Sequence, residues 1–213
     1  MKTLFLSSGG IRFPIIKQEF LKILYKPPKE IKLAHIITAA KVAENTDYFE
    51  KDKIALQETG FQITEIDITG KTETELRGLL KDTDVIYVQG GNGFYLLKQI
   101  WDSGFDKVVN DLLEKGVIYF GISAGTYVAC PTIEMHEWKG VKDNHYGLTN
   151  LQAMNLVPFL ITVHYNREKY REKVKAGMAK TTLPVKMLTD DQALLIQNEK
   201  ITLVGEGEEI KIE

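Results

Sequence analysis

"VIYFGISAGTYVACPT", residues Val117 to Thr132, joins an apolar run of strand character to a bend in which a serine stands between two glycines. A small polar residue between glycines is often no more than a tight turn. Alternatively, Gly121, Ser123 and Gly125 match the G-x-S-x-G pattern, in which a sharp turn from strand to helix exposes a nucleophilic serine. The rest of the chain has to decide between these two interpretations.

Strand-like and helix-like segments alternate on both sides of this bend. Short apolar runs such as KTLFLSS, from Lys2, are followed by amphipathic stretches such as DYFEKDKIALQETG, which Gly60 ends. Strands that alternate with helices form a parallel sheet covered by helices on both faces. We therefore predict an α/β protein, a three-layer α/β/α sandwich with a mostly parallel central sheet, in a single domain over residues 1–213.

The pattern also predicts where the individual elements lie. Thr72 and Glu75 have the spacing of a capping box, and a long helical stretch is expected to break near Ser103 and Gly104. Residues 131–158 show no clear period, which is typical of a functional loop region. Strands are predicted at 2–8, 31–40, 61–68, 84–91, 117–123, 159–165 and within 185–213, and helices at 14–25, 47–60, 72–82, 93–116 and 167–180.

Composition limits the class of protein and the kind of partner. The chain has 27 Lys and Arg against 29 Asp and Glu, without a basic cluster, which argues against nucleic acid or an anionic membrane as a partner. No apolar run has the length of a signal peptide or a membrane span. A single cysteine, Cys130, excludes an internal disulfide, as expected in a reducing compartment. We predict a cytoplasmic protein whose partners are small molecules or other proteins, and a homodimer remains open.

Reactive side chains in parallel α/β sheets gather beyond the carboxyl ends of the strands. Glycine and polar residues stand at four such ends in this chain. They are Ser123 after VIYFGI, Gly90, Gly91 and Asn92 after DVIYVQ, His164 in FLITVHY, and Asp190 and Asp191 in VKMLTDD. A hydroxyl, a glycine-rich amide loop, an imidazole and a carboxylate are therefore predicted at one edge of the sheet.

These groups form the set that acyl transfer by a serine requires. A serine hydroxyl needs a base within hydrogen-bond reach, and that base needs a group that fixes its tautomer. We predict Ser123 as the nucleophile, His164 as the base and Asp190 as the acid. The residue after the nucleophile donates its amide to the oxyanion. Ala124 and, from the neighbouring loop, Gly91 are thus the predicted oxyanion donors.

Several segments, taken in order, resemble one known family. GISAGTYVACPTI, QGGNGFYLL, NLVPFLITVHYN and LTDDQALLI are together similar to the S51 serine peptidases, the family of aspartyl dipeptidase (peptidase E) and cyanophycinase. The resemblance extends from about Lys2 to the C-terminal strands. It implies a fold like that of class I glutamine amidotransferases, and a serine peptidase of dipeptidase type with a preference for N-terminal Asp.

The resemblance also implies roles for individual residues. Ser123 matches the family nucleophile and His164 its base, whereas Asp190 stands where the family usually has a glutamate. Arg171 matches an arginine that the dipeptidases use near the acidic side chain of the substrate. Arg171, together with Asn92 of the glycine-rich loop, is therefore assigned to substrate binding. The segments EMHEWKGVKDNHYG and YNREK differ from those of the aspartyl dipeptidases in length and composition.

Alternatives remain for several of these residues. Asp191 and Asp143 compete with Asp190 as the acid, since Asp143 would give the order serine, acid, histidine found in α/β-hydrolases. The loop Gly90–Gly93 could hold a phosphate, but Leu96 breaks the G-x-G-x-x-G fingerprint. The enzyme could also be an esterase or a cyanophycin-type isopeptidase, and a non-catalytic binding or stress-response protein is the alternative from another class.

The remaining polar candidates have simpler explanations. Cys130 is predicted in the core, and Arg167 and Arg171, which alternate with Glu168 and Glu172, are by default an ion-paired, solvated face. No cofactor or metal is predicted, because the polar residues of the aperiodic segment lack a recognised ligand spacing and are expected to be solvated or to face the substrate. Those residues are His136, Glu137, Asp143 and His145.

Overall fold

The computed structural model describes residues 2–43, 45–139 and 146–210. Within these ranges the chain forms nine strands and eight α-helices. The strands are β1 Thr3–Ser7, β2 Lys32–Ile36, β3 Gln62–Ile66, β4 Val85–Val88, β5 Ile118–Ile122, β6 Leu160–Thr162, β7 Val185–Met187, β8 Ala193–Gln197 and β9 Lys200–Val204. The helices are α1 Pro14–Lys22, α2 Asp47–Thr59, α3 Glu73–Leu80, α4 Gly93–Ser103, α5 Phe105–Glu114, α6 Ala124–Tyr127, α7 Glu134–Trp138 and α8 Glu168–Met178.

Seven of these strands form the central sheet, in the order β3-β2-β4-β5-β1-β8-β9. The first five are mutually parallel, while β8 runs antiparallel to β1 and β9 antiparallel to β8. The prediction of a mostly parallel sheet in an α/β fold is confirmed. Because β5 lies between β4 and β1, the bend after β5 is flanked by the loops that follow those two strands.

Helices cover both faces of the sheet, as the buried strands require. Side chains alternate between faces along a strand. Leu4 and Leu6 of β1 therefore pack with α4 and α5, whereas Phe5 packs with Phe20 of α1 and Phe120 of β5 on the opposite face. Two hydrophobic clusters result, one on each side, and the predicted three-layer sandwich is confirmed.

The second strand is shorter than its apolar sequence predicts. The run from Ile31 to Ala40 was predicted as one strand, but pairing stops at Ile36 and residues Thr38–Ala40 form a 3₁₀ turn. The Thr38 hydroxyl donates to Asp67 Oδ1 at 2.9 Å and accepts from the Ile68 amide at 2.9 Å. These side-chain hydrogen bonds compete with the strand and end it, which leaves the residues after Ala40 free to border the carboxyl edge of the sheet.

The histidine-bearing strand lies outside the central sheet. β6 pairs in parallel with β7 as a separate two-stranded sheet, with Leu160 opposite Val185 and Thr162 opposite Met187. The expectation that His164 and Asp190 end strands of the central sheet was therefore wrong. Their relative placement was nevertheless sound, because both follow adjacent parallel strands by only two or three residues.

The predicted helix boundaries include two that local chemistry dictates. Thr72 and Glu75 form the capping box at the start of α3, and Gly104, at φ 70°, separates α4 from α5. The described part of the aperiodic segment 131–158 contains α7 and is fixed by backbone hydrogen bonds, such as Ala153 N–H to Pro131 O at 2.9 Å. No helix among the described residues combines the length and the apolar character needed to cross a membrane.

Candidate active site

Ser123 occupies a strained turn directly between β5 and α6. Its backbone lies at φ 50° and ψ −104°, a conformation that non-glycine residues rarely adopt and that costs about 1–3 kcal/mol. A Cβ on Gly121 would lie 2.5 Å from Gly125 O, and a Cβ on Gly125 would lie 2.2 Å from Val88 O. Both glycines are thus required for the close packing of this turn. The geometry corresponds to a nucleophile elbow and to more than a plain turn.

His164 reaches the serine from the end of β6. The Ser123 hydroxyl and His164 Nε2 are 3.1 Å apart, within hydrogen-bond reach. The histidine backbone has a positive φ of 60°, and its amide donates to Ser8 Oγ at 2.9 Å. Ser8, which follows β1, is fully buried. The loop after β1 therefore fixes the backbone that holds the imidazole over the serine.

Asp190 completes the chain of hydrogen bonds from the end of β7. Its Oδ1 accepts a short hydrogen bond from His164 Nδ1, and Asn166 and Arg167 also donate to its carboxylate, at 3.3 and 3.4 Å. With Nδ1 donating to the carboxylate, Nε2 is the acceptor for the serine hydroxyl, a tautomer assigned from these partners. Asp191 bonds to Thr189 instead. Asp143, the other alternative, lies outside the described residues.

Burial and the nearby positive charges favour a neutral imidazole at His164. Burial lowers the pKa of His164, the bond to Asp190 opposes this, and the positive charges of Arg167 and Lys139 add to the lowering. Burial alone would raise the pKa of Asp190, but the hydrogen bond and charge of His164, with Arg167 and Asn166, hold it well below its usual range. At neutral pH the site thus pairs a carboxylate with an uncharged base, as general-base activation of a serine requires.

Of the predicted oxyanion donors, Ala124 follows the serine directly and Gly91 lies in the loop after β4. Ala124 is buried and is the first residue of α6, so its amide has no acceptor within the helix. Gly91 has φ 146°, and a Cβ there would lie 2.2 Å from Ala39 O, so this position requires glycine. A Cβ on Gly90 would come within 3.1 Å of Ser123 Cβ. The backbone of the glycine loop therefore lies directly against Ser123, with little room for a side chain at Gly90.

A cavity of about 930 Å³ opens over these groups. It is bordered by the loops after β1, β2, β4 and β5, and by residues near α7 and α8. Asn92, which the sequence assigns to substrate binding, lines it, and its Oδ1 caps α4 by accepting from the Tyr95 amide at 2.9 Å. Arg171 is exposed on α8 and is not among the lining residues, whereas Arg167 is.

Other predicted residues separate into core and cavity. Cys130 is fully buried and burial raises the pKa of its thiol to about 12, which confirms the core prediction. His136 was expected to be either solvated or facing the substrate. It lines the cavity and packs edge-on against Phe94, so it is not solvated. Arg167 turns to Asp190, which differs from the default of an ion-paired helix face.

Some residues of the site carried no recognised signal in the sequence. Arg12 and Ser8 both follow β1 and could have been found by searching that strand end as well. Lys139 is buried, and its Nζ donates to Tyr127 OH and Val163 O, both at 2.5 Å. Burial lowers the pKa of Lys139 to about 7, Arg167 adds to this and Asp190 opposes it. Its position depends on tertiary packing, which no local pattern reveals.

Among the described residues, no group of three or more His, Cys, Asp or Glu side chains is arranged to hold a metal ion. Gly90 lies against the serine, and Gly90, Gly91 and Asn92 border the cavity that contains it. This edge of the sheet carries a hydroxyl, an imidazole, a carboxylate and backbone amides.

Comparison with known proteins gives a consistent result. The model of Peptidase family S51 matches residues 4–204. An uncharacterized peptidase of Listeria innocua is 30% identical over 203 residues, which cover 94% of this chain and 95% of that protein. Peptidase E of a Nostoc species is 27% identical over 183 residues, 82% of this chain and 72% of that protein. A crystal structure of a provisionally named peptidase E from Listeria monocytogenes superposes with a TM-score of 0.86 and 28% identity, over 97% of this chain and 100% of that one.

Proposed function

The chain belongs to peptidase family S51 and is on that ground a peptidase, and we propose that its reaction is the serine-type hydrolysis of small peptides. The observation that carries the proposal is the unbroken chain of contacts from the Ser123 hydroxyl through both ring nitrogens of His164 to Asp190. A structural serine in a glycine turn needs neither the base nor the carboxylate behind it.

The geometry supports the following sequence of steps. Ser123 Oγ attacks the scissile carbonyl carbon while His164 Nε2 takes its proton, and Asp190 stabilises the imidazolium that forms. The amides of Gly91 and Ala124 donate to the oxyanion. When the C–N bond breaks, the imidazolium returns the proton to the leaving amine. A water molecule then attacks the acyl-enzyme, with His164 again as the base, and Ser123 is released.

Small peptides are the substrates that the site favours. Loops after four strands and the α7 and α8 regions border the cavity, which closes it on several sides around Ser123. We propose a dipeptidase with a preference for N-terminal aspartate, in which cationic side chains that line the cavity, and not the outlying Arg171, attract the acidic group. We further propose a cytoplasmic location, which the single, buried cysteine supports.

The first test is Ser123→Ala. Without its serine a triad retains only binding and oxyanion effects, so dipeptide hydrolysis should fall by about 10⁴-fold or more while folding is kept. Labelling of the wild type by a fluorophosphonate probe should be at Ser123 and absent from the variant. Labelling at another residue would refute the assignment, and no labelling at all would favour a non-catalytic protein.

A panel of substrates separates peptidase chemistry from its rivals on the same scaffold. Wild-type protein should cleave dipeptides in preference to short-chain esters and to β-linked aspartyl-arginine. Turnover of either rival class together with no cleavage of any dipeptide would assign the site to an esterase or an isopeptidase.

A further inference from the structure

The cavity over Ser123 has a strongly cationic lining. Among the described residues that border it, three are Arg or Lys, namely Arg12, Arg167 and Lys169, and none is Asp or Glu. Arg167 is already paired with Asp190. An excess of positive charge in a concave site favours an anionic ligand. For a peptide, that anionic group is a carboxylate.

Arg12 is the best placed of these cations to bind such a group. Its side chain is 23% exposed, and it stands in the loop after β1, four residues beyond Ser8. Of its guanidinium donors only Nη1 is engaged by another described side chain, at 3.1 Å from Asp52 Oδ2. The remaining N–H groups are therefore available for a carboxylate, which guanidinium binds with two parallel hydrogen bonds.

A buried network holds Arg12 in this position. Asp52 on α2 is fully buried, and its Oδ2 also accepts from Gln89 Nε2 at 3.0 Å. Gln89 Oε1 lies 2.8 Å from His35 Nε2, so the network continues under β2 and β4. Burying a carboxylate is costly unless it is paired. In this structure the buried Asp52 carboxylate holds in place one arginine that faces the cavity.

Tyr48 stands beside this pair. It lines the same cavity, and its hydroxyl is buried with no hydrogen-bond partner among the described residues. Asp52 Oδ1 is likewise buried and without a partner there. A polar group left unpaired in this way is destabilising, and a ligand or a water molecule next to Arg12 would satisfy it.

We propose that Arg12, held by Asp52, is a specificity-determining residue that binds a carboxylate of the peptide substrate next to Ser123. This inference rests on the proposed peptidase function. The carboxylate has two sources in a small peptide, the C-terminal α-carboxylate and an acidic side chain.

The experiment crosses two variants with four peptides. Arg12→Gln and Arg77→Gln are compared with the wild type on Asp-Leu, Asn-Leu, Asp-Leu amide and Asn-Leu amide. Arg77 is the matched control, since it forms surface ion pairs on α3 and does not line the cavity. The loss of one partner of a desolvated charge pair predicts that Arg12→Gln lowers kcat/KM by about 30-fold or more, mainly through KM, on peptides that carry the bound carboxylate.

The pattern across peptides identifies the source. A loss confined to the two free acids assigns Arg12 to the α-carboxylate, and a loss confined to the two aspartyl peptides assigns it to the side chain. The peptides that lack the bound group should change less than about threefold. Fluorophosphonate labelling of Ser123, with a probe that has no carboxylate, should keep its wild-type rate in the Arg12 variant.

A second variant guards against a folding defect. Arg12→Gln alone leaves the Asp52 carboxylate buried without its cation, so Arg12→Gln with Asp52→Asn removes both charges and should give the same selective loss. Equal losses on all four peptides, or slower fluorophosphonate labelling in the double variant, would overturn the role of Arg12. If the wild type is labelled but cleaves none of the peptides, the proposed function fails and the role of Arg12 fails with it. This outcome can be told from a failure of the Arg12 role alone, because here the wild type itself cleaves no peptide.

Discussion

At position 123 the chain keeps a strained backbone because its neighbours fix it from both sides. The Ser123 amide donates to Ser7 O at 3.1 Å, and its carbonyl accepts from the Thr126 amide at 3.0 Å. The buried Thr126 hydroxyl is within hydrogen-bond reach of both Ser7 O and Gly121 O, at 2.7 and 2.9 Å. These contacts tie the bend to β1 and β5, so the hydroxyl is held toward His164 before any substrate arrives.

Asp190→Asn tests which carboxylate orients the imidazole. The asparagine can present an N–H to Nδ1 and favour the wrong tautomer, so we expect kcat to fall by about 10³- to 10⁴-fold with little change in KM. Asp191→Asn is the matched control, because Asp191 bonds to Thr189 and not to the imidazole. Steady-state kinetics on one dipeptide suffice. A larger loss in the Asp191 variant would reverse the assignment.

The acid limb of the pH profile follows from the charges around His164. The neutral imidazole is the active form, and its pKa is lowered by burial and by the positive charge of Arg167, so kcat/KM should fall with a midpoint below 6.5. Arg167→Gln removes a charge that disfavours the imidazolium, and the midpoint should therefore move to higher pH. Arg77→Gln should leave it in place. A shift to lower pH in the Arg167 variant would contradict this account.

The proximity of Ser123, His164 and Asp190 could be predicted from the sequence, because each residue follows a strand and strand ends can be recognised. Ser123, His164 and Asp190 are indeed brought together. The surroundings of the site are different, since tertiary packing brings Tyr48 of α2 into the cavity wall. Tertiary packing also buries Lys139, whose charge acts on His164. Arg171 was assigned from resemblance alone, and the turn of α8 that carries it faces solvent.

Substitution by alanine should have opposite effects on stability at two glycines, one in α6 and one in α3. Gly125 packs against β4, and a Cβ there would lie 2.2 Å from Val88 O, so Gly125→Ala should destabilise the protein by about 2 kcal/mol or more. Gly78 lies in α3 with nothing near its missing Cβ, and Gly78→Ala should stabilise by about 0.5–1 kcal/mol. Urea denaturation measures both. Equal effects would mean that the elbow relaxes more easily than its packing indicates.

Strand limits were the least predictable feature at the scale of elements. The apolar run 31–40 continues beyond β2, but the side-chain hydrogen bonds of Thr38 end the strand at Ile36. β6 and β7 read as ordinary strands, yet each has only three residues and they pair with each other. Apolar pattern reports burial, and both cases show that burial alone does not specify the pairing partner.

The free energy of unfolding of the whole molecule should depend on pH through Asp52. Burial raises the pKa of this carboxyl to about 6, with Arg12 and Gln89 opposing, whereas in the unfolded chain it is about 3.9. The folded state therefore binds the proton more tightly, and this contribution to stability, present below pH 4, is lost as pH rises through 6. The loss is on the order of 2–3 kcal/mol.

Asp52→Asn removes this dependence. The free energy of unfolding of the variant, minus that of the wild type, should rise by about 2–3 kcal/mol from pH 4 to pH 8 in urea titrations. Asp67→Asn is the control, because hydrogen bonds from Thr69 and Thr38 outweigh burial and lower the pKa of Asp67. A lowered carboxyl pKa changes stability only as pH falls below about 4, so the difference for Asp67→Asn should stay nearly flat from pH 4 to pH 8. A flat difference for Asp52→Asn would mean that its carboxyl ionises freely in the fold.

The strand order also determines when the molecule can become an enzyme during its synthesis. β1 leaves the ribosome first, yet its neighbours in the sheet are β5 and β8, which are translated more than one hundred residues later. Ser123 emerges well before His164, and Asp190 later still, just ahead of β8. A nascent chain therefore exposes its serine for much of translation without the base or the acid that would activate it. The site can therefore form only after β8, the antiparallel neighbour of β1, has been synthesised.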